Sequence, residues 1–190
     1  MSLSLSATMV SNKTRLLFIL GLAIVGGLCN ALLGIANAAV GSPFFFDSIF
    51  TATAGALWGP WAGLLCAFAT HFFIVAFHGW GIEWWYFLPV SMATGVIVGA
   101  FGQKRGAKDV TTIILCAVSV TLANSLLGAI IAVYAYGGIT AHPSDYIVTG
   151  LILAGQSILG ASFWARIPIN LIDKGIAVIL AFVAKRYIHI

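Results

Sequence analysis

The chain has 190 residues, of which 61% are hydrophobic and 7% charged, and its mean hydropathy is +1.07. Soluble domains carry about a quarter charged residues, so this composition excludes a soluble globular enzyme and points to an integral membrane protein. The net charge of +4 does not argue for nucleic acid, because the lysines and arginines stand at the ends of apolar segments, as the positive-inside bias requires.

Asp, Glu, Lys and Arg are absent from Leu16 to Phe46, Ser48 to Ile82, Trp84 to Gln103, Val110 to Ser144 and Tyr146 to Ala165. Gaps of that length leave no room for a large extramembrane domain. The expected organisation is a polar, Ser-rich, flexible cytoplasmic lead over residues 1–12, then one membrane bundle over residues 13–190. Cys29, Cys66 and Cys116 lie in apolar runs without metal-ligand spacing and read as packing residues.

The first helix covers Leu16 to Val40. Ala36-Asn37-Ala38 has the small-x-small form of a cleavage site, but the apolar run far exceeds the roughly 7–15 residues of a signal sequence, so an uncleaved helix is expected. Ala23, Gly27 and Ala31 recur every four residues and share one face. Such a stripe admits close approach by another helix, either a docking partner or a neighbour in the same bundle.

The stretch from Phe44 to Phe77 would be about 51 Å long as one straight helix, against a hydrocarbon core of roughly 30 Å. Gly59-Pro60, flanked by Trp58 and Trp61, is the place to reverse, giving a hairpin of helices two and three. Asp47 stands at the start of helix two, where a carboxylate can cap backbone N–H groups; it is also a candidate ligand contact. His71 reads as a hydrogen-bonded packing residue of helix three. Gly55, Gly59 and Gly63 match a double GxxxG, but Pro60 interrupts any continuous face.

The next loop carries Trp80, Trp84, Trp85 and Tyr86, together with Glu83. An interfacial aromatic belt accounts for these residues, and so does a sandwich for a flat ligand. Helix four is expected from about Phe87 to Phe101, a basic loop at Lys104, Arg105 and Lys108, and helix five from about Val110 to Tyr134 with Asn124 near its middle. After a turn-rich stretch, Tyr146 to Ala165 is uncharged and long enough to span. Six crossings put both termini and every terminal basic cluster on the cytoplasmic side, whereas seven would put the basic C-terminus outside. The predicted fold is therefore an all-α bundle of six transmembrane helices. Tyr146–Ala165 is then an outer-leaflet or re-entrant segment before the sixth.

In that last helix, Asp173 and Lys174 are placed about seven residues from its start, roughly 10 Å along. A charge at such depth needs a partner or a function. Adjacent residues point about 100° apart, so these two are not expected to pair simply as neighbours, whereas Asn170 and Lys174 share a face. Lysine only donates, and beside Trp84, Trp85, Tyr86, Asn124 and Asn170 it would suit a planar heteroaromatic solute with carbonyl, carboxylate or phosphate groups, flavin-like rather than thiamine-like.

No nucleophile elbow, phosphate loop, paired-His metal motif or dinucleotide fingerprint occurs, no cofactor is implied, and no spacing brings Asp47, His71 and Asp173 together as catalytic groups. A sensory membrane domain working with a separate signalling partner is the alternative class. The runs Phe46-Asp47-Ser48-Ile49-Phe50-Thr51, Leu57-Trp58-Gly59-Pro60-Trp61-Ala62-Gly63 and Pro168-Ile169-Asn170-Leu171-Ile172-Asp173-Lys174, with the overall length, resemble the S components of energy-coupling-factor transporters. The resemblance implies a small, multi-pass protein of the cell membrane, not an enzyme. It would capture a vitamin or similar micronutrient and release it by toppling when docked on a transmembrane coupling protein with two ATPases. It maps the docking face onto Ala23, Gly27 and Ala31, and the pocket onto Trp84, Trp85, Tyr86, Asn124, Asn170 and Lys174.

Overall fold

The computed structural model describes residues 12–104 and 109–188. The expectations for residues 1–11 and for the cations at 105 and 108 lie outside the described residues. Seven helices follow in order: α1 (Asn12–Ala39), α2 (Ile49–Trp58), α3 (Pro60–Phe77), α4 (Leu88–Gly102), α5 (Val110–Tyr136), α6 (Asp145–Leu153) and α7 (Ile158–Tyr187), with a 3-10 turn at Ile82–Trp85. Among the described residues, five segments are long and apolar enough to cross a membrane: Leu16–Ala39, Pro60–Phe77, Ile82–Gly102, Val110–Tyr136 and Ile158–Tyr187.

The hairpin at Gly59-Pro60 is present, with Gly59 at φ 93° and Pro60 opening α3, where its missing N–H costs nothing. Its first arm differs from the expectation. Only Ile49–Trp58 is helical, about 15 Å, and Phe44 to Ser48 enters as irregular chain. Asp47 does not cap α2. The N–H of Phe50 is instead accepted by Oδ1 of Asn30 on α1 at 3.0 Å, and the Asn30 amide donates to Thr51 and Thr70, each at 3.1 Å. One buried asparagine thus ties α1, α2 and α3 together.

Both arms of the hairpin pack on one glycine stripe of α4. A Cβ on Gly63 would stand 2.6 Å from Gly95 Cα, one on Gly55 2.7 Å from Gly95 O, and one on Gly99 2.5 Å from Pro60 N. Backbones in such contact tolerate no side chain. Pro60 breaks the Gly55–Gly63 repeat into two helices, yet the repeat still serves one partner. The stripe Ala23, Gly27 and Ala31 also faces inward. Ala23 and Ala31 are 3% and 0% exposed, and a Cβ on Gly27 would lie 2.6 Å from Ala69 Cβ and 2.8 Å from its backbone carbon. In this fold α3 occupies that face, so the stripe serves close packing within the bundle.

The last helix also departs from the expectation. It begins at Ile158, well before the start that would place Asp173 and Lys174 about seven residues in, after the positive-φ Gly155 and with the Ser157 hydroxyl accepting from Gly160 N at 3.1 Å. Pro168 is carried inside it. Of Tyr146–Ala165, the first part is the short α6 and the rest is the opening of α7. Asp173 and Lys174 therefore lie roughly 22–24 Å along α7, in its middle.

The bundle divides into two halves along its axis. Towards the Gly59 turn and the α7 C-terminus, Ala52, Ala56, Val98, Cys116, Val120, Ala177, Val178, Ala181 and Phe182 form a dry core. Lys185 Nζ closes that end by donating to Ala56 O at 2.7 Å. In the other half the same helices bury Ser91, Thr94, Asn124, Ser125, Arg166, Asn170, Asp173 and Lys174. That half is hollow.

Candidate substrate cavity

The hollow has a volume of about 1010 Å³ and is reached from the end where α1 meets α2, α3 meets α4 and α5 meets α6. The walls are His71 and Ile74 on α3 with His78 just after it, Phe87 with Val90 and Ser91 at the start of α4, and two helical faces at four-residue spacing, Asn124 and Gly128 on α5 and Arg166, Asn170 and Lys174 on α7. The rim consists of Trp84, Tyr136, the segment Ile139–Asp145 and Tyr146.

Lys174 forms the floor. Its ammonium donates to Asp47 Oδ1 at 3.0 Å and Ser48 Oγ at 2.8 Å, and pairs with Asp173 Oδ2 at 2.7 Å without hydrogen-bond alignment. Asp173 Oδ1 accepts from Phe46 N at 3.1 Å. Neighbours on one helix do pair here, contrary to the sequence argument, because the segment Phe46–Ser48 draws both side chains to the same side. Phe46 has φ 49°, a left-handed conformation that a phenylalanine rarely adopts, and the cluster holds it there. Lys174 has three oxygens around it and an aromatic ring, Phe45, 5.6 Å away. Two of its N–H groups are spent on Asp47 and Ser48 and the ammonium also faces Asp173, so the protein's own oxygens engage Lys174 at the floor.

The polar walls are more open. His71 is buried, with Nε2 2.9 Å from Ser91 Oγ and Nδ1 3.2 Å from the Trp84 carbonyl. Asn124 donates to Thr94 Oγ1 at 2.7 Å, while its Oδ1 has no partner. Asn170 donates to Ser125 Oγ at 3.0 Å. At the rim, Phe45 stacks on His142 with ring centroids 4.7 Å apart, and His78 lies against Trp84 at 3.8 Å. Burial pushes the His142 imidazole below its usual range, against the opposing fields of Asp145 and Asp47. Asp145 accepts from Thr140 N at 2.7 Å and His142 N at 3.2 Å, fixing the rim loop, in which Ala141 adopts φ 59°.

Of the residues singled out from sequence, Asp47, Trp84, Asn124, Asn170 and Lys174 meet on this cavity. Trp85 and Tyr86 do not. Trp85 packs on Phe68 with centroids 5.5 Å apart, and Tyr86 meets Tyr136 edge-on at 6.0 Å. A 3-10 turn points successive side chains about 120° apart, so three consecutive aromatics cannot face one pocket. His71, Ser91 and Arg166 were not chosen as site residues. The recurrence of polar residues at i, i+4 and i+8 within apolar helices was the signal that could have found Arg166.

The family model described as "ECF transporter, substrate-specific component" matches residues 19–184. The chain belongs to that family. No curated protein and no solved structure matches it. As an ECF S component it is a multi-pass protein of the cell membrane, a transport subunit rather than an enzyme. It works with a small-molecule substrate and a membrane-embedded ECF module.

Proposed function

We propose that the cavity is the chamber in which this S component captures a planar heteroaromatic vitamin or related micronutrient for an ATP-driven coupling module. A transmembrane coupling protein and two ATPases would complete the transporter. The observation that carries the reading is the chamber itself. Its volume of about 1010 Å³ suits a drug-sized solute, with rings at Phe45, Trp84 and Phe87 and directional polar groups at His71, Ser91, Asn124 and Asn170. Flavin-like solutes fit by shape and polar edges, independently of Lys174. Trp84, Asn124 and Asn170 are the proposed contacts, while Asp47 and Lys174 hold the floor.

The proposed topology places both termini inside and the chamber mouth outside. Among the described residues, Lys104, Lys185 and Arg186 belong to the opposite end, as the positive-inside bias asks. The chain then crosses six times, with α2 and its irregular lead-in as one crossing. An irregular segment is tolerable at that depth because it lines the chamber rather than lipid. Tryptophan-fluorescence titration of the purified protein with riboflavin, thiamine and other ring vitamins tests the reading. Saturable binding that Trp84→Ala weakens is expected, and a panel without any binding refutes it.

A further inference from the structure

Arg166 is the cavity cation that the fold leaves without an acid. The residue is 3% exposed and lines the chamber wall, eight residues and roughly 12 Å along α7 from Lys174. Among the described residues both ion pairs belong to Lys174. Asp145 is near enough for its field to act on Arg166, but its carboxylate is taken by Thr140 and His142. The guanidinium has five N–H donors, and the bond it makes is from Nη1 to the Ser162 carbonyl, one turn back, at 3.1 Å.

The surroundings are built to hold that side chain over the cavity. A Cβ on Gly128 would come within 3.2 Å of Arg166 Cδ and Nε, so the glycine leaves the width the arginine occupies. Two further buried groups nearby in the fold have no partner: Ser162 Oγ, one turn before Arg166, and Asn124 Oδ1, one turn before Gly128. A buried guanidinium with unused donors is costly in a membrane bundle unless something accepts from it. Its planar fork matches a carboxylate or phosphate at two points.

We propose that Arg166 receives an acidic group, carboxylate or phosphate, of the captured solute. This rests on the cavity being the capture chamber. The ring of such a solute lies against the aromatic side of the chamber, and its acidic end reaches the guanidinium between α5 and α7. Lys174, with three oxygens around it, stays structural. Selectivity for acid over neutral analogues is therefore set by Arg166.

Matched pairs test this on the full-length protein in lipid nanodiscs: nicotinate against nicotinamide, pyridoxine phosphate against pyridoxine, and flavin mononucleotide against riboflavin. In at least one pair the acidic member should bind ten-fold or more tightly than its neutral partner. The first pair reports a carboxylate and the other two a phosphate, which separates the two sources. Arg166→Gln should abolish the preference while keeping the neutral member's affinity and the melting temperature, and Arg166→Lys should restore part of it. Equal or tighter binding of the neutral member in every pair overturns the inference and leaves the capture reading intact. A preference that survives in Arg166→Gln, or equal weakening of both members, also overturns it. Absence of binding by all six compounds refutes the capture reading, and this inference with it.

Discussion

Replacing Lys174 by methionine removes the one cation that holds two carboxylates inside the bundle. The lysine side chain is 4% exposed, that of Asp173 0% and that of Asp47 24%. Methionine fills nearly the same volume, so the change isolates charge and hydrogen bonding from packing. Removing one partner of a buried ion pair typically costs about 3–5 kcal/mol, because the remaining charge keeps its desolvation cost without its counter-ion. Here two carboxylates are left facing each other, so the upper part of that range is expected. For a chain of this size that corresponds to a fall in melting temperature of roughly 10 °C or more. The Phe46–Ser48 segment also loses its anchor, so riboflavin or any other bound ring vitamin should weaken together with stability.

Asp47→Asn should cost less, about 1–2 kcal/mol, since Asp47 is partly solvated and the amide oxygen can still accept from lysine. The assay is thermal unfolding of each purified variant in the same detergent, with the Asp47→Asn/Lys174→Met double variant closing a cycle. The coupling energy should exceed about 1 kcal/mol. A Lys174→Met protein that melts within 2 °C of the parent would show that the cluster does not stabilise the fold and would refute the reasoning.

Gly95→Val should destabilise by at least about 1–3 kcal/mol, because the new side chain would enter the backbone of Gly63; thermal unfolding reads it, and an unchanged melting temperature would contradict the α3–α4 contact. Gly27→Leu should lower melting temperature and yield, since Ala69 and Thr70 occupy its space; a stable variant that binds solute but fails only in transport would restore the docking role for this stripe. His142 has a depressed value in the folded protein, so its stabilising contribution is complete above the ordinary value of about 6.5 and is lost as pH falls below that. Acidification from pH 7.5 to 5 should therefore lower the melting temperature of the parent more than that of His142→Phe, which keeps an aromatic face for Phe45; equal decreases would exclude His142 as the titrating group.

The features legible in the sequence were those set by local chemistry. Gly59-Pro60 marked a reversal because proline cannot continue a helix, and the charge gaps located the apolar helices within a few residues. The start of α7 was readable too, from Gly155 and Ser157. The later start came instead from counting crossings against the basic clusters, which set Tyr146–Ala165 apart from the last span. That placement halved the apparent depth of Lys174. The capping of α2 was not readable at all. Its acceptor, Asn30, is 20 residues away on another helix, and nothing local distinguishes it from the nearer carboxylate of Asp47.

The same distinction separates the parts of the site. Asn124, Asn170 and Lys174 were found because polar residues in the middle of apolar helices are expensive and need an explanation. Their division of labour depends on pairings across the fold, such as Lys174 with Asp47 over 127 positions. Sequence gives equal standing to two buried cations eight residues apart on one helix face. The fold surrounds one with Asp47, Ser48 and Asp173, and gives the other a single carbonyl and a glycine-lined gap. Cost in the membrane is the same kind of term for both, so the saturated cation stabilises the floor, while the unsaturated one gains most when an acceptor enters the chamber. Charge placement of this kind couples affinity to solute chemistry without any change in the shape of the cavity.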